Sequence, residues 1–186
     1  MSQGKRFFPD RRSFIVSSVV IVLLVLFAVV VTDRNNVRRL NRHLREAEAE
    51  KEACYDLIEE RFGYAGALVR TIAGQVDTKA VEEVLARWDG DPSIDEASAL
   101  YTALDEELAL LQRKAVEHDS YRAWSPYFER IHALELKLIE VSADYQDRAA
   151  YYNAQKSGFP ALLVARRHKL EDLLLFDFGP SLKGRP

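Results

Sequence analysis

An uncharged run at positions 13–32 constrains this chain more than any other feature of its sequence. Every position from 14 to 31 is Phe, Ile, Leu or Val except Ser17, Ser18 and Ala28, and charged residues flank the run on both sides. As a helix with a rise of about 1.5 Å per residue, the run spans roughly 30 Å, the thickness of the hydrocarbon core of a bilayer. The sequence therefore predicts one N-terminal transmembrane helix, with Phe14 to Val31 in contact with lipid.

A cleaved signal peptide is the alternative, because a short basic leader, residues 1–12, precedes the run. The run is longer than the apolar region of about 7 to 15 residues in a signal peptide. A cleavage site needs two small residues separated by one position, but the residue two positions after Ala28 is Val30. These features favour a retained single-pass anchor in a plasma membrane.

The charges beside the run do not decide the orientation. The leader has four Lys/Arg, and the segment 33–46 after the run has five, so the positive-inside rule gives no clear answer. The short charged leader slightly favours an N-terminus inside the cell, which would place the rest of the chain on the outer side.

The part of the chain after the run, 33–186, has 22 Lys/Arg and 28 Asp/Glu, a net charge of −6. Nucleic-acid binding rests on neutralising phosphates, so this balance argues against a nucleic-acid partner. The single cysteine, Cys54, excludes an internal disulfide framework. Gly63, Gly66 and Gly74 follow no predicted strand and precede no Gly-Lys-Ser/Thr, so they favour close helix approach or a helix break over a phosphate loop.

Apolar residues after the anchor recur with helical spacing, which predicts an all-α domain. Residues 33–54 have one narrow apolar stripe on a charged helix, typical of a stalk that can pair with a second copy; the stripe consists of Val37, Leu40, Leu44 and Ala47. Residues 55–178 are predicted to form a helical bundle, and residues 179–186 a frayed tail. Three long helices with short connections, plus short helices, predict an antiparallel up-and-down arrangement.

Local signals predict where these helices begin and end. Ser93 and Glu96 form a capping box that begins a helix, and Pro126 is predicted at the first position of the next one. Gly158 is predicted to close that helix in a left-handed conformation. A last short helix is predicted to contain Leu162, Leu163, Leu170, Leu173 and Leu174.

A C-terminal motif comprises residues 144–153, with Tyr145, Tyr152 and Asn153, followed by Phe159-Pro160 and Ala165. These residues and their spacing resemble the signature of the LemA family. Gln146 departs from the asparagine that is usual in the family, and the usual lead into Leu68-Val69 is missing, so the chain resembles a divergent member. The resemblance implies an α-helical, antiparallel bundle on a bacterial membrane and a family without an established catalytic activity.

No catalytic, metal or cofactor site is predicted. Glu129 and His132 lie three apart, as in di-iron bundles, but such a site needs a second pair and two further glutamates. Cys54 is interpreted as an inert, small hydrophobic residue rather than a nucleophile. Tyr145 and Tyr152 fall on the core repeat. A contact surface is predicted at Tyr151, Asn153, Phe159, Pro160, Arg166, Arg167 and Lys169.

The residues Arg166, Arg167 and Lys169 have two interpretations, a surface that contacts anionic lipid and a solvated helix face. For the whole chain, we expect a non-enzymatic binding or scaffold module at the bacterial envelope, with an unidentified envelope protein as partner. The alternative is a sensory or signalling stalk, in which a homo-oligomer through residues 33–54 couples the bundle to the membrane.

Overall fold

The structure is a computed structural model that describes residues 11–179, with side chains from Arg12 onward. The described part of the chain contains five helices and no strand, which confirms the all-α class. The helices are α1 (Arg11–Ile72), α2 (Lys79–Leu85), α3 (Ile94–Val116), α4 (Tyr121–Ser157) and α5 (Ala161–His168). Most of the predicted leader, residues 1–10, and the predicted tail beyond Gly179 lie outside the described residues.

The chain divides into two compact units. The first unit consists of Met1–Arg42 and Ala154–Glu171, and the second of His43–Asn153 and Asp172–Pro186. The helix α1 begins in the first unit and ends in the second without interruption, as the absence of proline between positions 32 and 91 predicts.

The first unit contains the apolar run as part of α1. The large apolar side chains at positions 14–31 are 48–68% exposed. This part of α1 is long and apolar enough to cross a membrane, by the criteria of length and composition alone. The short α5 is also in this unit, and its last turn is basic.

The second unit has a core of aliphatic and aromatic side chains. The predicted start of α3 is confirmed, because the Ser93 hydroxyl accepts a hydrogen bond from the Glu96 amide at 3.3 Å. Tyr101 and Tyr145 are fully buried, and with Phe176 and Phe178 they form an aromatic cluster with centroid separations of 4.9–5.3 Å. The predicted core position of Tyr145 is therefore confirmed, as is that of Tyr152, which is 1% exposed.

Polar contacts connect α1 with α4, with α3 and with the residues just before α3. The Tyr55 hydroxyl donates to the Pro92 carbonyl at 2.8 Å, and Arg61 pairs with Asp105 at 2.6 Å. In these two contacts the residue order is the same on both sides: Tyr55 precedes Arg61 in α1, and their partner Pro92 precedes their partner Asp105. Two ion pairs with α4 follow the opposite order: Glu50–Arg148 at 3.2 Å and Glu60–Arg130 at 2.6 Å.

The predicted start of α4 at Pro126 is wrong, because the helix begins at Tyr121 and contains this proline. Proline has no amide hydrogen to donate to the carbonyl four residues earlier. That carbonyl, of Arg122, instead accepts from the Ser125 hydroxyl at 3.4 Å. A local side-chain hydrogen bond thus compensates in part for the bond that Pro126 cannot make.

Two predictions for the C-terminal region are also wrong. Gly158 is not among the described glycines with positive φ, and its carbonyl accepts from the Leu162 amide at 2.8 Å, at the entry to α5. The helix α5 ends at His168, because Lys169 takes the left-handed conformation with φ 52°. Leu170, Leu173 and Leu174 therefore follow the helix rather than belong to it.

The glycines near the end of α1 behave differently from one another. The helix continues through Gly63, where a Cβ would meet no atom within 4 Å, so close helix approach is not the reason for this glycine. The helix ends two residues before Gly74, which has φ 79°. Of the two predicted roles, a helix break fits Gly74.

Candidate functional site

The seven residues of the predicted contact surface are distributed over both units. Tyr151 and Asn153 belong to the second unit, whereas Phe159, Pro160, Arg166, Arg167 and Lys169 belong to the first.

Asn153 holds the segment that follows α5. Its side-chain amide donates to the Leu173 carbonyl at 3.0 Å, and its Oδ1 accepts from the Leu173 amide at 2.9 Å. Tyr145 Oη donates to the Leu174 carbonyl at 2.5 Å, and Gln146 Nε2 to the Phe176 carbonyl at 3.2 Å. We call residues 172–178 the C-terminal strap. Asn153 thus has a structural role in positioning the strap along α4.

Tyr151 is the more exposed of the two predicted residues in the second unit, with 51% of its surface accessible. Its ring makes an edge-to-face contact with His43, at 4.9 Å between centroids. Such a contact fixes the ring while one face stays available to solvent or a partner.

In the first unit, basic side chains gather beside the end of the apolar run. They are all exposed, and we call them the basic collar; its members are Arg34, Arg38, Arg39, Arg42, Arg166, Arg167 and Lys169. Arg167 pairs with Asp33, the first residue after the run, which brings the end of α5 beside this part of α1. The two groups of basic residues lie far apart in the sequence, so only the C-terminal part of the collar was predicted.

Apolar side chains accompany the collar. Phe159 is 85% exposed and Leu163 is 58% exposed. Phe159 and Pro160, which are joined by a cis peptide bond, line an open cavity of about 610 Å³ together with Val31, Arg34 and other residues of α1. The cavity therefore has an apolar wall and an arginine-rich wall at the point where the apolar run ends.

Charge is distributed unevenly along the sequence. The segments 33–42 and 154–171 of the first unit contain eight Lys/Arg and two Asp/Glu. The second unit contains 14 Lys/Arg and 26 Asp/Glu. The net charge is +6 for these segments of the first unit and −12 for the second unit. The small net charge of the whole chain is therefore the sum of a strongly basic part and a strongly acidic part.

A buried arginine in the second unit was not predicted from the sequence. Arg61 is 2% exposed, pairs with Asp105, and lies over the Tyr101 ring at 4.3 Å from its centroid. Burial raises the pKa of Tyr101, with smaller contributions from Glu135 and Asp105, although Arg61 acts in the opposite direction. The signal was available, because Arg61 follows Ile58 by three residues and precedes Ala65 by four, which is the spacing of the core positions.

Cys54 and His132, the residues considered above for catalysis or metal binding, lie in environments that do not favour those roles. Burial, with a smaller contribution from Glu50, raises the pKa of the Cys54 thiol to about 12, so the reactive thiolate is disfavoured. His132 contacts Glu135 at 3.2 Å. Within residues 11–179, no group of three His, Cys, Asp or Glu side chains is arranged to hold a metal ion.

Comparisons of the chain with protein-family models, with curated proteins and with solved structures found no match.

Proposed function

We propose that this chain is a single-pass protein of the bacterial plasma membrane whose helical domain acts as a binding or scaffold module without catalysis. The observation that carries the proposal is the apolar run. Its large side chains are exposed in a helix, although burying such side chains usually stabilises a chain by about 1.5–3 kcal/mol each. A bilayer would remove this surface from water.

The proposed module is a bundle of the three long helices. The opposite order of the Glu50–Arg148 and Glu60–Arg130 pairs supports an antiparallel α1 and α4. The Tyr55–Pro92 and Arg61–Asp105 contacts favour α1 and α3 running in the same direction. This departs from the strictly alternating order expected from the sequence, because the segment 73–93 between α1 and α3 is long enough to return the chain.

Membership of the LemA family, as a divergent member, is part of the same proposal. Its support is the placement of the motif residues: Tyr145 and Asn153 hold the C-terminal strap, and Tyr152 is buried. A motif that fixes the end of a bundle would be retained for stability rather than for chemistry. We accordingly assign the chain no catalytic residue.

Alkaline extraction of membranes tests the anchor. The full-length protein should remain in the membrane pellet, and the double variant Leu23→Arg/Val25→Arg should be released, because a basic residue at the centre of a spanning helix costs roughly 2.5–3.5 kcal/mol. The double variant Leu110→Arg/Leu136→Arg is the matched control, since it changes two exposed apolar residues of the second unit. Release of the unmodified protein would refute the proposal.

A membrane-coupled signalling stalk is the second candidate function. The uninterrupted α1 favours it, because a continuous helix can transmit a displacement of the anchor. Leu40 and Ala47 of the apolar stripe are fully buried within one chain, which leaves Val37 and Leu44 for pairing with a second copy. Cysteine crosslinking at Val37 and Leu44 in a Cys54→Ala background separates the two functions. Crosslinks that change with conditions favour signalling, and a persistent monomer argues against it.

A further inference from the structure

We propose that the basic collar and the adjoining cavity bind the headgroups of anionic phospholipids in the bilayer that the apolar run enters. This inference rests on the proposed membrane anchor and names a ligand for the same part of the molecule. Such a binding site must lie at the membrane surface, have a positive charge that attracts phosphate, and offer an apolar surface to the acyl chains.

The position follows from the geometry of α1. The apolar run ends at Thr32, and Arg34, Arg38 and Arg39 follow it directly in the same helix. At about 1.5 Å per residue, these side chains begin roughly 3–10 Å beyond the run. This is the depth of the headgroup layer when the run occupies the hydrocarbon core.

The charge is available because most of the collar has no acidic partner. Among the described residues, Asp33 pairs with Arg167, whereas Arg34, Arg38 and Arg166 form no ion pair and are exposed. Arg39 contacts the neutral side chain of Asn36, at 3.3 Å. Arginine presents several donors to a phosphate oxygen pair, and its affinity for phosphate is greatest where neighbouring charges are uncompensated.

The apolar surface comes from the residues around α5. Phe159 and Leu163 are exposed side chains four residues apart, and Ala161, Val164 and Ala165 are buried. The basic residues Arg166, Arg167 and Lys169 follow immediately. Exposed apolar residues beside basic ones are typical of helices that lie in the interface of a membrane. Phe159 also lines the cavity with Arg34, so one ligand can contact both chemistries.

A lipid is favoured over a protein partner because the collar directly follows the apolar run, and the uneven charge fits an anionic bilayer. The part of the first unit outside the leader and the run has a net charge of +6, whereas the second unit has −12. An anionic bilayer attracts the former and repels the latter, and each basic residue near such a surface contributes about fivefold in affinity.

Native mass spectrometry of the full-length protein in detergent micelles tests the inference. The protein is titrated with phosphatidylglycerol and, separately, with phosphatidylcholine, which has no net charge. We expect the unmodified protein to retain phosphatidylglycerol in preference. The triple variant Arg34→Gln/Arg38→Gln/Arg39→Gln should lose this preference by at least about tenfold.

A matched triple variant controls for total charge. Arg70→Gln/Arg87→Gln/Arg122→Gln removes three exposed arginines of the second unit and should retain the preference. Circular dichroism of all proteins verifies that they are folded. Equal retention of both lipids, or equal losses in the two triple variants, would overturn the inference. Displacement of phosphatidylglycerol by inorganic phosphate at similar concentration would also overturn it, because the collar would then be a simple anion site.

Failure of the lipid-binding inference can be distinguished from failure of the proposed membrane anchor. A protein that resists alkaline extraction but shows no lipid preference is anchored without a headgroup site. A protein that is extracted from the membrane refutes the anchor itself.

Discussion

Asn153 and Leu173 are joined by two hydrogen bonds in opposite directions, so one side-chain amide satisfies both backbone groups of a residue outside any helix. The C-terminal strap has no helical hydrogen bonds of its own over residues 172–178. Its backbone therefore depends on side chains of other elements for partners: Tyr145, Gln146 and Asn153 of α4, and Ser98 of α3, whose hydroxyl accepts from the Asp177 amide at 3.1 Å. Asn153 consequently fixes where the strap begins, and the aromatic residues Phe176 and Phe178 follow from there into the core.

We expect Asn153→Ala to destabilise the protein by about 2 kcal/mol, because it leaves the amide and the carbonyl of Leu173 without their protein partner. Urea unfolding of the full-length protein in micelles, followed by circular dichroism, measures this change. Gln155→Ala in the same helix is the control and should change the stability by less than about 0.5 kcal/mol. If the two variants were equally stable, the strap would not depend on Asn153.

The ion pair between the buried Arg61 and the partly exposed Asp105 should respond asymmetrically to mutation. Asp105→Asn leaves a buried guanidinium without its counter-charge and should cost about 3 kcal/mol. Arg61→Met removes that charge and keeps an apolar side chain of similar length, so it should cost less. The double variant Arg61→Met/Asp105→Leu should be close to the unmodified protein in urea unfolding. Equal losses in both single variants, with additive losses in the double variant, would contradict this view of the pair.

The sequence predicted what depends on local pattern. The continuous α1, the cap at Ser93 and the core positions of Tyr145 and Tyr152 all follow from spacing and capping chemistry. Arg61 was overlooked because a charged residue at a core spacing is normally assigned to the surface. Its partner, Asp105, lies on a different helix, and no local pattern indicates such a distant contact.

The C-terminal region shows the limit of periodicity more clearly. Leucines 170, 173 and 174 have helical spacing, yet this region is not helical. The carbonyls of these three leucines accept instead from side chains of α4, namely Lys156, Asn153 and Tyr145. Tertiary hydrogen bonds from a distant helix thus override a weak local preference. Similarly, the basic collar combines residues from two distant segments, and only the C-terminal one was predicted as a contact surface.

The stability of the protein should decline at alkaline pH partly through Cys54. Burial raises the pKa of this thiol from 9.0 to about 12, so the folded state keeps its proton where the unfolded state loses it. This contribution is fully present below pH 9.0 and is lost as the pH rises toward about 12. We expect the unfolding free energy of Cys54→Ala to fall less steeply over this range than that of the unmodified protein. Identical slopes would show that Cys54 does not contribute.

Lys169 should show a conflict between stability and lipid binding. Its φ of 52° is costly for a residue with a Cβ, by roughly 1–2 kcal/mol relative to glycine. We therefore expect Lys169→Gly to stabilise the full-length protein by about 1 kcal/mol in urea unfolding. If the basic collar binds anionic headgroups, the same variant should also lower the preference for phosphatidylglycerol by about fivefold.

Lys169→Asn separates the two effects, because asparagine tolerates the left-handed conformation but has no charge. It should lose the lipid preference as Lys169→Gly does while gaining less stability. A Lys169→Gly variant that gains stability and keeps the full lipid preference would remove Lys169 from the collar, and the retained strain would then need another explanation.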